Sequence, residues 1–192
     1  MHHIAKKLNK LQAFCFCLCF IIVVLSAKFC LSLYLYNLDN EKREESIVNI
    51  CNFRDKIKMY LAAHDRQYPD EKGVKGLCQL DIVKLSDFAA KNDRNVTIDY
   101  DIMMESNTSY AYVASGISEK NLTFSIPVLF EKPWNRENIL ILFSDGAIKK
   151  INAWNLKSCH QVIQYLQHSS IPQGYPWEIL YMNALYIDKR HE

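Results

Sequence analysis

From Leu11 to Ala27 the chain reads LQAFCFCLCFIIVVLSA, seventeen residues without a charge, and after Lys28 the apolar character resumes as FCLSLYLY to Tyr36. A spanning helix needs about 20 mostly apolar residues, so the run predicts a transmembrane helix over 11–36. Lys28 falls toward one end of the span, where its four-carbon stem lets the ammonium reach the headgroups. Lys6, Lys7 and Lys10 precede the run, whereas NLDNEKREES follows it. Lys/Arg asymmetry then predicts a single-pass protein with a cytoplasmic basic head over 1–10 and an extracytoplasmic domain over 37–192. The competing reading is a signal peptide cleaved after Ala27, for which Leu25 is a poor small-residue match.

Past the run the period becomes helical. Ile47, Ile50, Cys51, Ile57, Tyr60, Leu61 and His64 recur at steps of three and four, the spacing of one helix face. No Pro or Gly interrupts the chain before Pro69, so the span continues into an amphipathic stem, one helix from Phe14 to Arg66 of roughly 80 Å. Tyr68-Pro69 ends it, because the residue before Pro is pushed out of the helical region. A short second helix is predicted from Leu80 to Lys91.

After Asn92 the apolar positions alternate. Five short runs rich in β-branched and aromatic residues read as strands: Val96–Tyr100, Ser109–Ala114, Phe124–Phe130, Asn138–Phe143 and Ala147–Ile151. Asp145-Gly146 between the last two is a tight hairpin signal, and the strands predict an antiparallel meander. Pro127 cannot donate to a ladder, which places its strand at an edge or gives it a bulge at the start. Helices over Leu156–His168 and Pro176–Lys189 close the chain, with Pro176 suited to a first turn. The predicted fold class is α+β: a long N-terminal helix packed on an antiparallel β-meander, with C-terminal helices.

Composition narrows the class. With 49% hydrophobic and 23% charged residues and only five Gly and five Pro, disorder and linker arrays are excluded, leaving one compact domain with an appendage. All but four of the 23 basic residues lie beyond Tyr36, with all 21 acidic ones, so no surface for nucleic acid is indicated.

The order of elements and several local strings resemble a known family. CNFRDKIKMYLAAHDRQYPD, from Cys51 to Asp70, is similar to the segment where bacterial type IV pilins and type II secretion pseudopilins have a Cys, an Asn-Leu-Arg-like triplet, a helical face and an aromatic residue before Pro. SYAYVASGIS and IPVLFEKPWNRENILILFSDGAIKKI resemble the C-terminal half of the prepilin-type subgroup whose motif is His, nine residues, Asp-Gly. Counted that way the motif falls on Asn135, Asp145 and Gly146, with Asn135 in place of the His. The family also has a Gly before the first apolar residue and a Glu shortly after, where this chain has neither. The resemblance implies assembly of like helices, or of a secretion-system partner, through the N-terminal helix, with the Trp134–Asp145 region turned outward.

The remaining residue types suggest little chemistry. Cys15, Cys17, Cys19 and Cys30 lie in or beside the apolar run and act first as small apolar residues. Cys51, Cys78 and Cys159 permit at most one disulfide in an oxidising compartment, and no C-x-x-C spacing suggests zinc. The His residues are scattered, and adjacency on a helix turns the side chains of Cys159 and His160 apart. Asp99, Asp101 and Glu105 with Asp145 form an acidic set without the EF-hand pattern. Trp134, Trp154 and Trp177 read as core and sheet-face residues. No nucleophile elbow, metalloprotease helix, phosphate loop or dinucleotide fingerprint occurs. The expectation is therefore a protein that is not an enzyme and takes neither metal nor cofactor. It is read as a membrane-anchored, pseudopilin-like protein whose partners are the bilayer and other copies or subunits. The alternative is a single-pass or secreted protein of unrelated binding function, glycosylated at sequons beginning at Asn95, Asn107 and Asn121.

Overall fold

The computed structural model describes residues 2–80, 108–134, 136–170 and 176–191, with side chains for the same residues except 2–20, 38–43, 170 and 191. The chain divides into two units, Met1–Arg43 and Glu44–Glu192. Helix α1, His2–Ala63, supplies the described part of the first and enters the second.

The expected membrane span over 11–36 is corrected, and with it the single-pass placement with a cytoplasmic N-terminus. Among the described residues no helix is long and apolar enough to cross a membrane. The run with described side chains, Ile21 to Tyr36, is 16 residues with Lys28 inside it, short of the about 20 that a span requires. Residues 11–20 lie outside the described side chains.

In the second unit α1 buries Ile50, Phe53, Ile57 and Leu61, a single stripe at steps of three and four. The stripe is rotated from the expected face. Ile47 and His64 are exposed, whereas Phe53 packs edge-on against Tyr110 at 5.3 Å between ring centroids. Pro69 does not end α1. The chain leaves the helix through Asp65 and Arg66, at φ 53° and 60°, with Arg66 N–H returning to Leu61 O at 2.9 Å. Two successive left-handed residues reverse the chain, as a glycine does at many helix ends.

Among the described residues the sheet is a four-stranded antiparallel meander in the order β1-β2-β3-β4: β1 Tyr110–Tyr112, β2 Pro127–Glu131, β3 Asn138–Phe143 and β4 Ile148–Asn152. Tyr110 pairs with Glu131, Phe130 with Ile141, and Ile139 with Ile151. Pro127 opens β2, an interior strand, and the ladder to β3 is irregular between Pro127 and Leu129. Of the two places open to a proline, the structure takes the bulge. The expected strand Val96–Tyr100 and nearly all of the helix Leu80–Lys91 lie outside the described residues.

Among the described residues three further helices follow: α2 Val74–Cys78 and α4 Trp177–His191 lie against β1, and α3 Cys159–Ser170 packs on α4. α2 was not expected. It lies against β1 because Gly76 has no side chain, and a Cβ there would stand 2.6 Å from the Tyr112 ring. Asn183 of α4 donates to Val113 O at 2.8 Å and Ser115 O at 3.0 Å, which keeps the carbonyls after β1 satisfied while buried. α4 buries Trp177, Leu180, Ala184 and Ile187, and α3 buries Cys159, Val162, Ile163 and Leu166. Trp154, expected in the core, is 69% exposed.

Candidate functional site

A concavity in the second unit lies between α1 and the β3–β4 loop, a cleft of about 370 Å³. Arg54, Lys58 and Ala62 stand along one edge of α1 at four-residue steps, with Arg66 just past the helix end continuing the series. The apolar lining is Ile57, Leu61, Val128, Leu142 and Phe143. The opposite wall is the loop Ser144-Asp145-Gly146.

That loop has three residues. Phe143 N–H bonds to Ala147 O at 2.9 Å and Gly146 N–H to Phe143 O at 2.9 Å, with Gly146 at φ 84°. This is a three-residue hairpin loop ending in a left-handed residue, which glycine adopts without steric cost. The Asp145 carboxylate accepts Ala147 N–H at 2.9 Å. Lys58 rests on the loop, its Nζ 3.2 Å from where a Gly146 Cβ would lie.

At the far end of the cleft the chain after α1 pairs with the segment after β1. Tyr68 N–H bonds to Ile117 O at 3.1 Å and Glu119 N–H to Arg66 O at 2.9 Å. The Arg66 guanidinium meets Glu119 at 3.1 Å, and Lys120 pairs with Asp65. Tyr68 is buried in the cleft wall. Loss of water raises its pKa above the ordinary tyrosine value, and the nearby Glu119 charge adds to the rise.

Two other polar clusters lie apart from the cleft. Glu131, buried on β2, accepts Leu140 N–H at 2.8 Å and Arg136 Nη1 at 3.2 Å. Beside it the Tyr110 hydroxyl is buried near Ser46 and Asn49 without a well-formed hydrogen bond, and burial first, then Glu131, pushes its pKa up. At the start of α3, Asp188 accepts Cys159 N–H at 2.8 Å and His160 N–H at 2.9 Å, and faces His160 Nδ1 at 2.8 Å. Ser158 Oγ lies 3.5 Å from His160 Nε2. The sequence Ser, His, Asp has the outline of a nucleophile, base and orienting acid. The geometry is that of a helix cap: both Asp188 oxygens serve backbone N–H groups of the first turn of α3, and 3.5 Å is too long to activate a hydroxyl.

No protein-family model, curated protein or solved structure matches the chain.

Of the residues singled out in the sequence, Asp145 and Gly146 line the cleft, and Asn135 lies outside the described residues. Cys51, half-buried on α1, Cys78, exposed on α2, and Cys159, buried on α3, are thiols. His64 stacks on Tyr60 at 3.8 Å. Among the described residues no three His, Cys, Asp or Glu gather as a metal site. Asn121 is exposed, whereas Asn95, Asn107, Asp99, Asp101 and Glu105 lie outside the described residues. The α1 wall of the cleft went unread, although the four-residue spacing of Arg54 and Lys58 was present to signal it.

Proposed function

We propose that the chain is a pilin-like assembly subunit, of the kind found in type II secretion and pilus-like systems. Its N-terminal helix packs against like helices, and its α+β unit offers a binding surface. The observation that carries this reading is the apolar character of α1 from Ile21 to Tyr36. Ile21, Ile22, Val23, Leu25, Phe29 and Leu31 are each more than half exposed. A helix apolar on all sides is normally covered, since each fully exposed large side chain forgoes about 1.5–3 kcal/mol of burial. Other helices of the same kind provide that cover by close van der Waals fit. The order of a long helix followed by an antiparallel meander supports the same reading.

Photo-crosslinking of the purified full chain tests it. A benzoylphenylalanine placed at Phe29, 65% exposed on α1, is compared with one at Trp154, 69% exposed on the α+β unit. The expected result is a ladder of chain multiples from the Phe29 position. Monomer alone from that position at every concentration rejects the proposal.

A further inference from the structure

Assembly through α1 leaves the cleft between α1 and the β3–β4 loop without a use, and its chemistry is specific. Its floor is apolar and its α1 wall is cationic. Arg54 is answered by Asp55 at 2.9 Å and Arg66 by Glu119 at 3.1 Å. Lys58 has no ion-pair partner among the described residues, and it stands over the loop at Gly146. The Asp145 carboxylate at the opposite wall is turned to its own loop N–H, on Ala147. The cleft thus joins an unanswered ammonium at the rim to a floor formed by Ile57, Leu61, Val128 and Phe143. Its volume of about 370 Å³ is at the small end of the range for ligand sites.

We infer that this cleft docks an acidic peptide segment of a partner protein, an apolar anchor side chain seated on the floor and a neighbouring carboxylate on Lys58. A free aliphatic or aromatic ligand leaves the lysine unanswered, and a bare anion leaves the floor wet. A peptide with both groups two residues apart satisfies both, because alternate side chains of an extended segment share one face. Glu119 is answered by Arg66, whereas Asp145 keeps its charge and is turned to its own loop N–H on Ala147, so the peptide carboxylate is assigned to the Lys58 side of the cleft. This site does not depend on the assembly of α1.

The test is fluorescence anisotropy with the full chain and a fluorescein-labelled peptide, Ser-Glu-Ser-Phe-Ser-Glu-Ser, in which each Glu stands two residues from the Phe. The expected result is saturable binding, weakened about tenfold or more when both Glu of the peptide become Gln, and by a similar factor in Lys58→Glu. Lys58 is exposed, so the variant keeps its fold, which circular dichroism verifies. A peptide with Lys in place of both Glu regains binding to Lys58→Glu. Absence of saturable binding, or equal affinity in the wild-type chain and Lys58→Glu, overturns the assignment. The oligomer mass is the same in either event, which separates this outcome from that of the assembly proposal.

Discussion

Asp188 and His160 are joined twice: the carboxylate accepts the His160 backbone N–H at 2.9 Å and faces its ring Nδ1 at 2.8 Å. Because Asp188 also takes Cys159 N–H, a residue near the C-terminal end of α4 satisfies the orphan donors that open α3. It does from another helix what a local capping side chain usually does. Asp188→Ala is expected to cost about 1–3 kcal/mol, since it strands two N–H groups at a largely buried helix start. Asp188→Asn, which keeps one acceptor oxygen, is expected to cost less. Urea unfolding monitored by circular dichroism measures both, and equal stability of all three chains would contradict the cap.

Glu131 serves β3 and Arg136 together. Its side chain is 5% exposed, and it is the acceptor for Leu140 N–H within the sheet. Glu131→Ala is expected to destabilise the unit by about 2–4 kcal/mol, because the partners are left behind in a dry place. Glu131→Gln retains one acceptor oxygen and is expected to lose roughly half as much. The same unfolding experiment distinguishes them.

Gly146 is held at φ 84° under Lys58. Gly146→Ala places a Cβ in a left-handed conformation, at a cost of about 1–2 kcal/mol. Removing the nearby lysine tip should recover little of that loss, because the strain is in the backbone. A Gly146→Ala, Lys58→Ala double variant as stable as wild type would place the cost in the side-chain contact instead.

Tyr68, Tyr110 and Tyr112 all have pKa values raised above the ordinary tyrosine value, first by burial. In the unfolded chain each ionises near pH 10, so the folded state holds its protons longer. The stability they contribute is complete below about pH 10 and is lost as pH rises above it. Unfolding free energies at pH 8 and pH 11 are expected to differ in that direction. Of the 11 tyrosines, these three should form tyrosinate only as the protein unfolds. Their ionisation in step with the exposed tyrosines would contradict the burial.

Much of the α+β unit was legible because its signals are local. β3 was read to the residue, and β4 within one, since alternation and Asp145-Gly146 fix a hairpin without reference to the rest of the chain. The bulge at Pro127 follows from a missing N–H. Where the reading missed, the deciding contact was distant in sequence. Phe53 replaces Ile47 on the buried stripe because Tyr110, more than fifty positions on, offers a ring to pack against. α2 exists because Gly76 fits against Tyr112, and α3 begins at Cys159 because Asp188 accepts its N–H. The end of α1 was misplaced because two non-glycine residues take the left-handed turn. The cleft was half legible: its loop was marked by Asp145 and Gly146, but its cationic wall belongs to a helix edge that hydrophobic spacing ignores. The apolar run was read as a membrane span, and among the described residues it falls short of one.

The most direct test of the assembly account is the mass of the full 22.4 kDa chain by sedimentation equilibrium over a range of concentrations. It is compared with a variant in which Ile22, Leu25, Phe29 and Leu33 are replaced by Gln. The account predicts discrete multiples of the chain mass for the native protein and a monomer for the variant. A native chain that remains monomeric throughout, or a variant that assembles equally well, would contradict it.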